Sequence, residues 1–274
     1  MQEDGTVDYA TLERLVEEQV EAGVQGLVVV GTTGESPTLD TREHLEVIDT
    51  VIRMARRRIQ VVAGTGSNST SEALYLTRSA DAAGADAFLQ VAPYYNKPSQ
   101  EGLYRHFREI AECTGKPLML YSIPGRCGID IAVETVRRLA ADCPNIRTIK
   151  EAGGDPERVS ALLQAVPDLT ILCGDDGLIE PFIERGAKGV VSVASNLAPE
   201  VIRSLTEACL KNPAGAHPQM EEWEALLTEL VFLEGNPVTI KEALHQAGRI
   251  PCPAVRLPLV RASENTRERI HGHL

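Results

Sequence analysis

Positive charge is scarce in this chain: 27 lysines and arginines stand against 39 aspartates and glutamates, a formal net charge of -12. That excludes the basic footprint a nucleic-acid surface needs, and it disfavours attraction to anionic lipid by charge alone. No apolar run is long enough to cross a bilayer. The opening MQEDGTVDYA has neither the basic nor the apolar region of a signal peptide, which points to the cytoplasm. Cys-x-x-Cys pairs are also missing. Cys113, Cys127, Cys143, Cys173, Cys209 and Cys252 are spread along the chain, a pattern of buried free thiols and not of a disulfide framework. The histidines do not gather with cysteines or carboxylates at metal-ligand spacing, and His271 and His273 fall in a C-terminal tail. No metal site is expected. No Pro/Gly/Ser-rich linker and no low-complexity stretch divides the sequence.

What is present is a regular alternation. With 274 residues, 43% of them hydrophobic, the chain can bury one large core. Seven short apolar runs read as strands: 25–31, 59–64, 86–92, 117–122, 146–150, 169–174 and 188–194. They are nearly continuous in hydrophobicity, as strands buried on both faces are. Amphipathic segments lie between them, such as TREHLEVIDTVIRMARRR (41–58) and SEALYLTRSADAAG (71–84), the second ending on a glycine stop. A strand recurs roughly every 20 to 30 residues, as βαβ units require. No dinucleotide or Walker A fingerprint follows any strand. A doubly wound sheet stays open, but the regularity points to an α/β fold of the TIM (β/α)8 barrel type. Residues 1–198 would form the barrel. Residues 199–274 would form a C-terminal helical extension from APEVIRSLTEACLK, PQMEEWEALLTELVFLE and TIKEALHQAG. An eight-stranded barrel needs one strand more than the sequence offers. Because the chain opens on the helix-like VDYATLERLVEEQVEAG, the expected gap is the first barrel strand.

In such a barrel the active-site groups sit at the C-terminal strand ends. GTTGES (31–36) follows the first run, with glycines that let the backbone bend and hydroxyls that suit a small carboxylate; an ordinary strand-to-helix turn capped by Ser36 or Thr38 is the alternative. PYYNKPS (93–99) follows the third, as a binding loop or as aromatic packing. Tyr121 ends the fourth, before a SIPGRCG turn that carries Arg126, which could grip a carboxylate or form a surface ion pair. Lys150 ends the fifth. Period-2 alternation puts Ile146, Thr148 and Lys150 on one face. Turned inward, the amine is desolvated, its pKa falls, and its lone pair is free to attack a ketone, with Tyr121 on the adjacent strand placed for proton transfer. The set reads as a Schiff-base lyase or aldolase acting on a keto acid.

These motifs, with GTGSNSTSEA, PYYNKPSQEGLYRHF, IKEAGGD, GDDG, GVVSV, GNPVTIKEAL and RLPL, closely resemble the dihydrodipicolinate synthase family, within the pyruvate-dependent class I aldolases that also include N-acetylneuraminate lyase. The resemblance covers nearly the whole chain. It implies a Schiff base between Lys150 and pyruvate, with no cofactor or metal. It implies Tyr121 as proton donor and acceptor, in a relay with Thr32 and with Tyr95 lent by a neighbouring subunit across a tight-dimer interface of a homotetramer. It implies that Thr33 holds the pyruvate carboxylate, that the Val191 backbone lines the pyruvate site, and that Arg126 receives aspartate semialdehyde. The sialate-cleaving relatives typically lack that arginine, so the PGR turn favours the synthase branch. Ser122 and Cys127 depart from the asparagine and threonine frequent around this turn. The resemblance further implies an L-lysine effector site at Ser36, Pro37, His44, Asn68, Glu72 and Tyr94. Two competing readings are another aldolase of the superfamily, acting on a hydroxylated keto acid, and an impaired keto-acid-binding homologue lacking one barrel strand.

Overall fold

The computed structural model describes residues 1–215 and 232–273. The segment predicted as a helix over 218–234 lies largely outside the described residues. Asp8 caps the first helix, α1 (Tyr9–Glu21), by accepting from the Thr11 amide at 3.0 Å. The chain then alternates: β1 (Gly26–Val29), α2 (Thr41–Ala55), β2 (Gln60–Gly64), α3 (Thr70–Ala83), β3 (Ala87–Val91), α4 (Gln100–Glu112), β4 (Leu118–Ser122), the short α5 (Pro124–Cys127), α6 (Val133–Asp142), β5 (Ile146–Glu151), α7 (Glu157–Ala165), β6 (Thr170–Cys173) and α8 (Ile179–Glu184). Local chemistry sets several boundaries. Asp40 and Glu43 form a capping box at the start of α2. That helix ends at Ala55, earlier than its amphipathic run, because Arg56 and Arg57 both adopt the left-handed conformation. Gly84 closes α3 at φ 103°, as the sequence suggests.

The six strands are all parallel and pair in chain order, β1 to β6, which gives a TIM-barrel-like α/β arrangement. One sheet face packs Phe88, Leu118, Leu120, Ile149 and Ile171 against Leu103, Phe107, Ile110, Leu139 and Leu162 of the helices. The other carries Val62, Leu89, Met119 and Tyr121, packed with Val28, Leu172 and Val191. Each fully buried aliphatic or aromatic side chain contributes about 1.5–3 kcal/mol, so the helix-facing layer supplies most of the cohesion.

Two expectations are corrected. The run at 188–194 does not form a full strand. It bonds to β6 through Cys173 N to Gly189 O and Val191 N to Cys173 O, both 2.8 Å, and makes an isolated parallel bridge from Val190 to Cys173. Beyond Val191 the backbone turns, because the amides of Val193 and Ala194 donate to the Asp176 carboxylate at 2.8 and 3.2 Å. Ile146 does not share a face with Lys150. The register shifts between Leu118 and Met119, which pair with Ile146 and Thr148, so Arg147 is extra and Ile146 packs into the helix layer. Among the described residues no strand precedes β1, which pairs with β2 alone.

After α8 come α9 (Pro199–Lys211), α10 (Val238–Gln246) and α11 (Glu264–His271). Ile202, Leu205, Ile240 and Leu244 join Ile179, Ile183 and Val193 in a second apolar cluster, which packs this region against α8 and the end of the 188–194 run. All six cysteines are free; four are buried, and Cys113 and Cys252 are half-buried. No helix among the described residues is long and apolar enough to cross a membrane.

Strand β5 is anchored at its end by a buried ion pair. The Glu151 carboxylate accepts from Arg158 Nε at 2.7 Å and from the Gly153 amide at 2.9 Å, and Arg158 also donates to the Ile131 carbonyl. Replacing Arg158 with leucine leaves that carboxylate buried without its cation. Urea denaturation should then show a loss of about 3–5 kcal/mol. A loss under about 1 kcal/mol, the size of an exposed pair, would mean that Glu151 needs no partner there.

Candidate active site

Lys150 lies near the C-terminal end of β5, where it pairs with Tyr121 on β4 and Leu172 on β6. Ile149 faces the helices, so the next side chain turns to the inner face. There Lys150 is buried, with its Nζ 4.3 Å from the centroid of the Tyr121 ring. Gly174 makes the room. A Cβ at that position would sit 2.9 Å from Lys150 Cε and 2.7 Å from Ala152 Cβ. Burial pushes the lysine down to about 8; Asp176 and then Cys173 oppose that shift, and Arg126 adds to it. Near neutral pH a real fraction of the amine is therefore uncharged and can attack a carbonyl carbon. Burial also pushes Tyr121 up to about 12, against the opposing influence of Arg126 and of a hydrogen bond with the Thr32 side chain. Its phenol stays protonated and can donate to a developing alkoxide or hydroxide.

Around this pair sit groups suited to anions. The 31–36 loop folds back through Gly34 N to Gly31 O and Glu35 N to Thr32 O, both 3.0 Å. It is pinned from behind by Glu35, a buried residue at φ 55° whose carboxylate accepts from Lys241 and from the Arg256 amide. That pinning presents Thr32 toward Tyr121 and Thr33 toward Asn236, whose Nδ2 donates to Thr33 Oγ1 at 2.7 Å. Arg126, on α5, donates from Nη2 to the Asn236 carbonyl at 3.0 Å. Cys127 is buried beside it and pushed up to about 11 by desolvation, so it is a neutral thiol and a poor nucleophile. Val191 is half-buried on the inner face, its amide donating to Cys173 O.

The structure thus brings together Lys150, Tyr121, Thr32, Thr33 and Arg126, with Val191 beside them. It does not bring Tyr95 to them: that side chain is 90% exposed on the loop after β3, at φ 72°. The remaining candidates divide. His44, Asn68, Glu72 and Tyr94 gather near Ser67. Ser67 donates to Glu72 at 2.5 Å, Asn68 donates to the Tyr94 carbonyl at 3.2 Å, and Glu72 acts electrostatically on both His44 and Tyr94. Burial lowers the pKa of His44, with its contact to the Gly64 carbonyl and the Glu72 charge opposing. Ser36 and Pro37 lie on the 36–38 turn, tied back to the Gly31 carbonyl.

Asp176 and Asn236 also join the site, without a local sequence pattern that marks them for it. Asp176 is buried, accepts from Ser192 Oγ and two backbone amides, and acts electrostatically on Lys150. Its only sequence signal is the GDDG stretch after β6. Among the described residues no group of three or more histidines, cysteines or carboxylates is placed to hold a metal.

Comparison with known proteins fits this geometry. The model of the dihydrodipicolinate synthetase family matches residues 1–274. The 4-hydroxy-tetrahydrodipicolinate synthase of Persephonella marina is 45% identical over 272 residues, 99% of this chain and 93% of that protein. The chloride-inhibited dihydrodipicolinate synthase of Acinetobacter baumannii, solved with pyruvate, superposes at a TM-score of 0.95 with 43% identity, covering 99% of this chain and 93% of that one. The enzyme of Cyanidioschyzon merolae, solved with lysine bound, gives 0.92 and 39%, covering 97% and 90%.

The depressed Lys150 pKa has a measurable sign. A lysine reacts as the free amine, so reductive methylation of Lys150, followed by peptide mass spectrometry, should accelerate with rising pH around a midpoint near 8. A midpoint at the ordinary 10.5 would show that burial does not activate it.

Proposed function

Since this chain belongs to the dihydrodipicolinate synthetase family, we propose that it condenses pyruvate with L-aspartate 4-semialdehyde, through a Schiff base on Lys150, to give 4-hydroxy-tetrahydrodipicolinate. The observation that carries the proposal is the buried, deprotonatable Lys150 amine over the Tyr121 ring. The reaction belongs to cytoplasmic lysine and diaminopimelate biosynthesis. The six-strand sheet is read as an arc of a (β/α)8 barrel, 1–198, with 199–274 as its helical extension.

The Lys150 lone pair adds to the pyruvate ketone carbon, and Tyr121 gives a proton to the departing oxygen, which leaves as water. The iminium then draws electrons from the methyl group. A methyl proton is lost, an enamine forms, and its carbon bonds to the aldehyde carbon of the semialdehyde. The semialdehyde amine attacks the imine carbon, closes the ring and releases the Lys150 amine, so one water is the only by-product. Thr33 holds the pyruvate carboxylate and Val191 lines its site. Arg126 receives the carboxylate of the semialdehyde, for which a guanidinium offers two parallel donors. That favours this substrate over a sugar-derived keto acid.

Thr32 passes protons between Tyr121 and Tyr95 of a second copy. The exposure of Tyr95 supports that reading, since none of the described residues covers it. The assembly is a homotetramer built from tight dimers. L-lysine acts as effector at the cluster of His44, Asn68, Glu72 and Tyr94, with Ser36 and Pro37 at its rim. Glu72 meets the ligand's ammonium, and Asn68 and Tyr94 meet its carboxylate.

Incubation with pyruvate and borohydride should leave a carboxyethyl group on the Lys150 peptide. An unmodified Lys150 in folded protein would sink the Schiff-base reading. Tyr121→Phe should keep the fold and lower kcat by roughly 10²–10⁴-fold, the usual scale of a lost general acid. Titration calorimetry should detect L-lysine binding that Glu72→Ala removes; no heat with the intact protein would exclude the effector site.

A further inference from the structure

Asn236 lies just ahead of the Pro237 cap of α10, 203 residues beyond Thr33 and 110 beyond Arg126, yet it touches both. It is buried, and its two contacts use different parts of the residue. The side-chain Nδ2 donates to Thr33 Oγ1, and the main-chain carbonyl accepts from Arg126 Nη2. The side-chain Oδ1 is buried and has no partner among the described residues. Such an orphan is costly, so the contact to Thr33 is retained against a penalty.

We propose that Asn236 is a positioning residue that sets the direction of the Thr33 hydroxyl, so that Thr33 gives its proton to the carboxylate of the keto acid. The inference rests on the reading of Thr33 given above. A hydroxyl has one proton and two lone pairs, whereas an amide NH₂ can only donate. With Asn236 donating, a lone pair of Thr33 Oγ1 is occupied and its proton remains for another acceptor. A carboxylate only accepts, so the two are complementary. Fixing the rotor beforehand also removes an ordering cost that binding would otherwise carry. Arg126 is tied to the same residue through the main chain, so its orientation does not depend on the Asn236 side chain.

That division makes the test specific. Asn236→Ala should raise KM for pyruvate, and the half-saturation of borohydride trapping, by roughly tenfold, the scale of one hydrogen bond to a charged group. KM for aspartate semialdehyde should stay within about twofold, because the carbonyl that holds Arg126 remains. Asn236→Asp should raise KM for pyruvate further, since a carboxylate takes the Thr33 proton for itself and repels the substrate. In a Thr33→Val background, Asn236→Ala should add nothing more. If Thr33→Val raises KM for pyruvate and Asn236→Ala does not, the positioning role is wrong while the reading of Thr33 stands. If Thr33→Val has no effect, the reading of Thr33 fails and takes this inference with it. An equal rise in both KM values, or an effect that persists in the Thr33→Val background, would reduce Asn236 to a structural part and overturn the proposal. Asn236→Leu, close to asparagine in shape, serves as the same test should the alanine variant fail a melting check by circular dichroism.

Discussion

The structure is organised around one costly placement, an ammonium-forming side chain on the dry inner face of a parallel sheet. Burying Lys150 disfavours its charged form, and among the described residues no carboxylate bonds it directly to restore that form. The neighbours set a balance instead. Asp176 pulls the proton affinity up from within the core, while Arg126 pulls it down from the rim. The outcome is an amine that loses its proton near 8 yet can carry charge once it becomes an iminium. A surface lysine would be permanently protonated at neutral pH, and a deeper one without Asp176 would resist the cationic intermediate.

Asp176 joins this electrostatic balance to the architecture. Its carboxylate takes hydrogen bonds from Ser192, Val193 and Ala194, and those bonds turn the chain away from β6. The same contacts therefore keep the 188–194 run from continuing along β6 and fix an anion within electrostatic range of Lys150. On the other side, Glu151 follows Lys150 directly and points away into its ion pair with Arg158. The lysine is thus held between a ladder on each side and an anchored neighbour, which restricts its backbone and leaves only the side chain to reorient.

Much of this was legible in the sequence, for identifiable reasons. Strands buried on both faces must be apolar throughout, so six of the seven runs form strands at nearly the predicted positions. A lysine ending such a run is conspicuous for the same reason, and Tyr121 and Arg126 follow from the rule that strand ends carry the site. The failures came where tertiary contacts outrank local pattern. Nothing in KGVVSVA reveals that a distant aspartate will claim its amides. Nothing in NIRTIK reveals the register shift at Arg147, so alternation misplaces Ile146. Asn236 was hidden by distance, since both of its contacts span more than a hundred residues. The GNPVT stretch carries no signal of its own beyond the family resemblance, because an asparagine before a helix reads as a turn residue.

The site therefore has two kinds of support. Lys150 and Tyr121 sit on adjacent strands, where hydrogen-bonded ladders hold them in register. The groups suited to the substrates' carboxylates, Thr33 and Arg126, sit on loops, and loops alone would leave them loosely placed. Asn236 meets both from the region beyond the barrel, and Lys241 holds Glu35 behind the Thr33 loop from the same region. The C-terminal region thus braces two loops of the site from outside the strands that carry Lys150 and Tyr121. A substitution just ahead of α10 therefore acts on the Thr33 and Arg126 loops without touching Lys150 or its strand.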